Sequence, residues 1–175
     1  MPEPKQENGE KLDLSNWLHN SKRTVIAGIG NLVRKDDFVG VRLVEKIKYK
    51  VPQSVHLIEC ETVPESHIDE IAELKPSHIL LIDAAILGLK PGDFKLARCS
   101  ELTEAQTVST HVLPLRIFCQ YLAQLTEAEI ALLLIQPKDT GFGEGLSPEL
   151  EESAEKIART VLSALSKQSK IDGSI

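Results

Sequence analysis

Hydrophobic positions along the chain alternate between short continuous runs and longer stretches in which they recur every three or four residues. The continuous runs cover 24–27, 55–59, 78–82, 94–98 and 130–135. Most are rich in Val, Ile and Leu, which suit a buried pleated surface, and they predict five strands. Between them, helical spacing appears at Val41, Val44 and Ile47, and again at Leu115, Phe118, Cys119, Leu122 and Leu125. A last stripe runs through Leu150, Ile157, Val161 and Leu165. Another helix is expected from Pro64 to about Leu74, and Pro64, Pro114 and Pro148 each suit a first helical turn, where no N–H is missed. Strand and helix in alternation predict a three-layer α/β/α sandwich around a five-stranded, mostly parallel twisted sheet. The segment 94–98 breaks the alternation. It follows the third run after only about ten residues, too few for a parallel crossover, so it is expected to be antiparallel.

Size and charge narrow the classes. A chain of 175 residues is one domain with room for a substantial core. Residues 1–22 read as an extension, partly disordered, with a short helix in 11–20 burying Leu12, Trp17 and Leu18. The domain proper is expected over 23–166, with a frayed tail at 167–175. A net charge of −6 and a pI near 5.4 argue against nucleic-acid partners. No run approaches the ~20 apolar residues of a membrane span, and the polar N-terminus lacks a signal-peptide core. Cys60, Cys99 and Cys119 form no C-x-x-C pair, which speaks against a disulfide frame and for a cytoplasmic protein.

Candidate chemistry gathers where strands end, the edge at which open α/β sheets bind ligands. The loop after the first strand, Gly28-Ile29-Gly30-Asn31, leads to Asp36 and Asp37. A dinucleotide fingerprint would need a glycine where Val33 stands, and two carboxylates at a helix start would repel a pyrophosphate. Such a loop suits a cation better. Asp36 is expected to cap the following helix, with Asp37 in its first turn. Asp83 ends the very apolar third strand, a costly place for a carboxylate unless it caps a neighbour or binds something. Residues 99–110 are long enough, at roughly 36 Å when extended, to bring His111 back to the same edge. Gln136 ends the fifth strand there. Asp37, Asp83 and His111 would make an oxygen/nitrogen site for a borderline divalent metal. An aspartic dyad of Asp37 and Asp83 remains open, as does Cys60 acting as a nucleophile with His111 as base. No G-x-S-x-G supports a serine hydrolase. His19, His56, His67 and His78 read as surface or strand-end residues.

With these residues laid out, the chain resembles the NiFe-hydrogenase maturation endopeptidases, of the type that processes hydrogenase 3 and related membrane-bound hydrogenases. The likeness covers about residues 24–165. It rests on Gly28-x-Gly30-Asn31 with Asp36-Asp37-x-x-Gly40, on Thr62-Val63-Pro64-Glu65, and on Leu81-Ile82-Asp83-Ala84-Ala85 with Gly88-Leu89-x-Pro91-Gly92. Ser109-Thr110-His111-x-Leu113-Pro114-Leu115 and Ile135-Gln136-Pro137 complete it. The resemblance implies removal of a C-terminal extension from the large-subunit precursor after nickel insertion, just beyond a basic residue. It assigns nickel contacts to Asp37, Asp83 and His111 and the hydrolytic role to Asp37 and Asp83. The nickel would come with the substrate. No organic cofactor, nucleic acid or membrane insertion is implied, and a monomer is expected. Two departures stand out: Cys60-Glu61 where relatives commonly carry glycine, and Ile86 where a polar residue is common. A non-proteolytic chaperone of hydrogenase assembly would carry the same trio. A nucleotide-binding domain is the third possibility, and it would be indifferent to His111.

Overall fold

The structure, a computed structural model, describes residues 12–101 and 112–172. Its strands are β1 (Thr24–Ile29), β2 (Val55–Glu61), β3 (His78–Ala84), β4 (Phe94–Arg98) and β5 (Glu129–Ile135). They form one sheet in the order β2-β1-β3-β5-β4. β1 pairs in parallel with β2 and β3, and β3 with β5, while β4 runs antiparallel to β5 from Phe94 opposite Ile135 to Arg98 opposite Ala131. The short link from β3 to β4 accounts for that reversal, since it holds no crossover helix.

Helices cover both faces. α1 (Leu14–Leu18), α2 (Val39–Ile47) and α5 (Pro148–Asp172) lie on one, and α3 (Ile68–Glu73) and α4 (Val112–Thr126) on the other. The period of two along each strand divides the core accordingly. Ile26, Leu80, Ile82, Leu133 and Ile135 pack with α1, α2 and α5. Val25, Ala27, Ile79, Leu81, Leu132 and Leu134 pack with α3 and α4. These strands are apolar on both sides because both sides are covered. Trp17 and Leu18 of α1 are buried in the first cluster, so the segment before β1 packs onto the sheet. Among the described residues, no helix is long and apolar enough to cross a membrane.

Local details differ from the sequence reading. α2 does not begin at Asp36: a 3-10 turn over Lys35–Phe38 comes first, and α2 starts at Val39. A second 3-10 turn, Pro64–His67, precedes α3. α5 continues to Asp172, past the expected start of a tail at 167. His78 opens β3, as a strand-end residue, and is buried there with its ring edge-on to Trp17 at 4.9 Å. His111 lies outside the described residues.

Candidate active site

The sheet order reverses at β1. From β1 the chain passes through α2 to β2 on one side, and β3 lies on the other. The crevice beyond the C-terminal ends of β1 and β3 is therefore the topological switch point, where ligands of such sheets bind. Both aspartates meet there. Asp37 follows β1, Asp83 is the next-to-last residue of β3, and the two line one cleft with Gly30, Glu61, Glu65 and Leu115. The cleft holds about 50 Å³. That suits a metal ion or one or two waters and is far too small for a nucleotide.

Close backbone packing sets the position of Asp37. A Cβ on Gly30 would collide with the Asp37 carbonyl and come within 2.8 Å of the Phe38 Cα. One on Gly28 would meet the Gly40 carbonyl, and one on Gly40 would meet the backbones of Ile29 and Ile82. The glycines thus let the 3-10 turn and the start of α2 press onto the ends of β1 and β3. The space a phosphate would need is filled by the protein's own backbone, which disposes of the nucleotide reading for this loop.

The paired aspartates divide the work because a 3-10 turn rotates successive side chains by about 120°. Asp36 is fully buried and turns away from the cleft. One carboxylate oxygen accepts hydrogen bonds from the Lys138 and Asp139 N–H groups and the Ser147 hydroxyl, each at 2.9 Å; the other accepts from the Ser147 N–H at 2.6 Å. The expectation that Asp36 caps its own helix is therefore corrected. It ties down the distant loop between β5 and α5. Asp37 is left half-buried at the sheet edge.

Asp83 has the same parity as Ile79 and Leu81, which places it on the α3/α4 side of the sheet. It is 4% exposed, and its Oδ1 accepts a hydrogen bond from the Ala84 N–H at 2.9 Å. Burial drives its carboxyl well above the ordinary carboxylate range, and the neighbouring Asp37 adds to the shift; the Ala84 N–H opposes it only in part. A carboxyl so placed holds a proton or awaits a cation. α4 begins at Val112, the residue after His111, and its Leu115 lines the cleft. Among the described residues no three acidic, His or Cys side chains gather as a metal cluster, and His111 is not among those residues.

Neighbouring motifs acquire structural explanations. The Gln136 side chain is buried, and its Oε1 accepts hydrogen bonds from the Leu87 and Leu89 N–H groups at 2.7 and 3.3 Å. It thereby fixes the loop leaving β3. Glu61 sits on the cleft with φ at +51°, a left-handed conformation that favours glycine. A glycine would meet no such strain at this position. Cys60, a candidate nucleophile by sequence, is 2% exposed, and burial pushes its thiol up to about 12. It is a core residue, not an activated thiolate.

Comparison with known proteins identifies the family. The hydrogenase maturation protease family matches over residues 41–164. A putative hydrogenase maturation protease of Methanocaldococcus jannaschii is 37% identical over 153 residues, covering 83% of this chain and 89% of its own. The hydrogenase 3 maturation protease of Escherichia coli K12 is 29% identical over 133 residues, covering 76% and 85%. The crystal structure of a NiFe hydrogenase maturation protease, HycI, from Thermococcus kodakarensis KOD1 superposes with a TM-score of 0.80 at 38% identity, over 87% of this chain and 98% of that one. By sequence and by fold, this chain belongs to the hydrogenase maturation protease family.

Proposed function

We propose that the protein is the endopeptidase that removes the C-terminal extension of a NiFe-hydrogenase large-subunit precursor once nickel has been inserted. In this reading the nickel arrives with the substrate and is the signal that is recognised. Asp37, Asp83 and His111 contact it, no organic cofactor takes part, and the enzyme acts as a cytoplasmic monomer. The observation that carries the proposal is the cleft shared by Asp37 and Asp83, in which burial and like charge oppose ionisation of Asp83. A divalent ion would relieve both opposing effects, and carboxylates with an imidazole suit nickel. Aspartic-type hydrolysis, with Asp37 or Asp83 activating the water, and metal-assisted hydrolysis, with the ion polarising the scissile carbonyl, assign the same side chains to the reaction.

A protein substrate is supported by the surface at this end of the sheet. Leu32, Val33, Val63, Ile86 and Phe142, all on loops leaving the C-terminal ends of parallel strands, are 40–87% exposed. Apolar side chains exposed at the same end of the sheet as the cleft suit docking of another protein. Nickel-loaded precursor incubated with wild type, Asp37→Asn, Asp83→Asn and His111→Ala, with the product followed by mass, tests the assignment. Each variant is expected to lose on the order of 100-fold or more in cleavage rate. Undiminished cleavage by Asp37→Asn or Asp83→Asn would remove that residue from the mechanism.

A further inference from the structure

Outside the cleft, two thiols far apart in sequence come together. Cys99 opens the 3-10 turn Cys99–Glu101 that follows β4, and Cys119 sits on α4. Cys99 is half-buried and packs against the α3/α4-side core, of which Cys119 is a fully buried member. Both thiols are free, the turn that carries Cys99 packs against α4, and the two side chains interact with each other.

We propose that Cys99 and Cys119 are a modification site, oxidised by hydroperoxides to a reversible disulfide that ties the end of β4 to α4. Their environments assign the roles. The interaction with Cys119 holds the Cys99 thiol below its usual range, the charge of Arg116 helps, and burial works in the opposite direction. The same interaction, together with burial, pushes the Cys119 thiol up. Cys99 is therefore the accessible, more acidic thiol that meets the oxidant, and Cys119 is the shielded partner that resolves it. The Cys99 thiolate attacks a peroxide oxygen. An S–O bond forms, the O–O bond breaks, and hydroxide leaves (from hydrogen peroxide) and takes up a proton to become water. The Cys119 sulfur then attacks the sulfenic sulfur; its proton departs with the sulfenic oxygen as a second water. Two thiols and one peroxide give one disulfide and two waters. Cys60 is deeply buried on β2, and it is not part of this pair.

The test is to treat the folded protein with one equivalent of hydrogen peroxide, quench it, and determine thiol count and intact mass after denaturation. The expected result is a fall from three thiols to one, a loss of two hydrogens, a Cys99–Cys119 cross-link in the peptide map, and recovery of all three thiols with dithiothreitol. Before oxidation, Cys99 should be alkylated at least ~10-fold faster than Cys60 at neutral pH. Cys60→Ser should still form the bridge, whereas Cys99→Ser should keep its two remaining thiols. Three surviving thiols, a bridge to Cys60, an intermolecular dimer, or stepwise gain of oxygen on Cys99 with Cys119 still free would each overturn the proposal. The wild-type peptide map distinguishes these outcomes even where a serine variant fails to fold.

Discussion

At the scale of single residues, Asp83 states the central tension. A carboxyl that is 4% exposed, beside a second aspartate, with one backbone N–H in reach, costs the fold stability whenever it ionises. Its raised folded-state value fixes the sign. The protonated form contributes stability that is present below the ordinary carboxylate range and is lost as pH rises through the raised value. Asp83→Asn keeps the acceptor for the Ala84 N–H and cannot ionise. It is therefore expected to raise stability near neutral pH by about 1 kcal/mol, the usual scale of a functional-site compromise, while activity is lost. Thermal unfolding followed from pH 8 to pH 4 checks this. The gap between variant and wild type should narrow as pH falls. A variant less stable than wild type at pH 8 would contradict this view of Asp83. The residue was legible in the sequence because an acidic side chain ending so apolar a run is physically expensive. The division between Asp36 and Asp37 was not. It depends on a 3-10 turn and on partners more than a hundred residues away.

At the scale of elements, two ties hold the frame, one at each end of the sheet. Asp36 joins the turn after β1 to the loop before α5 through four hydrogen bonds. Charge-assisted bonds in a buried place are strong, and their loss leaves N–H groups unpaired. Asp36→Ala is expected to destabilise by on the order of 3 kcal/mol, a drop of ~6–12 °C in Tm for a chain of this size, measured by calorimetry. An effect confined to activity, with Tm unchanged, would mean that Asp36 belongs to the chemistry instead. His78 forms the second tie, packing against Trp17 of α1. Burial lowers its value; the charge of Glu129 and a hydrogen bond to the Trp17 backbone oppose that shift. The neutral ring's contribution is present above pH ~6.5 and is lost as pH falls below it. Between pH 7 and pH 5 the Tm of wild type should lose ground relative to that of His78→Phe, which lacks this titration. The strands, the antiparallel β4 and the helices after the proline-marked turns were readable because periodicity and link length are local signals. The tie from Asp36 and the contact of Cys99 with Cys119 were not, because only the assembled sheet creates them.

At the scale of the whole molecule, the strand order explains why the site is where it is. Placing β1 between β2 and β3 sends successive connections to opposite faces and opens one crevice at the strands' C-terminal ends. The sequence could place Asp37 and Asp83 at that edge without fixing which strands would be neighbours. Adjacency of β1 and β3 is what brings the two carboxyls into one cleft. A cleft of about 50 Å³ at the end of the sheet that also exposes Leu32, Val63 and Ile86 suits recognition of a small reactive centre on a large protein. On the proposed function, the occupant of this cleft is the precursor's own nickel. The decisive measurement gives wild-type enzyme the nickel-loaded and the nickel-free large-subunit precursor side by side and follows the shortened product by mass. Cleavage of the nickel-loaded form alone is expected. Equal cleavage of both forms would contradict nickel recognition at this cleft.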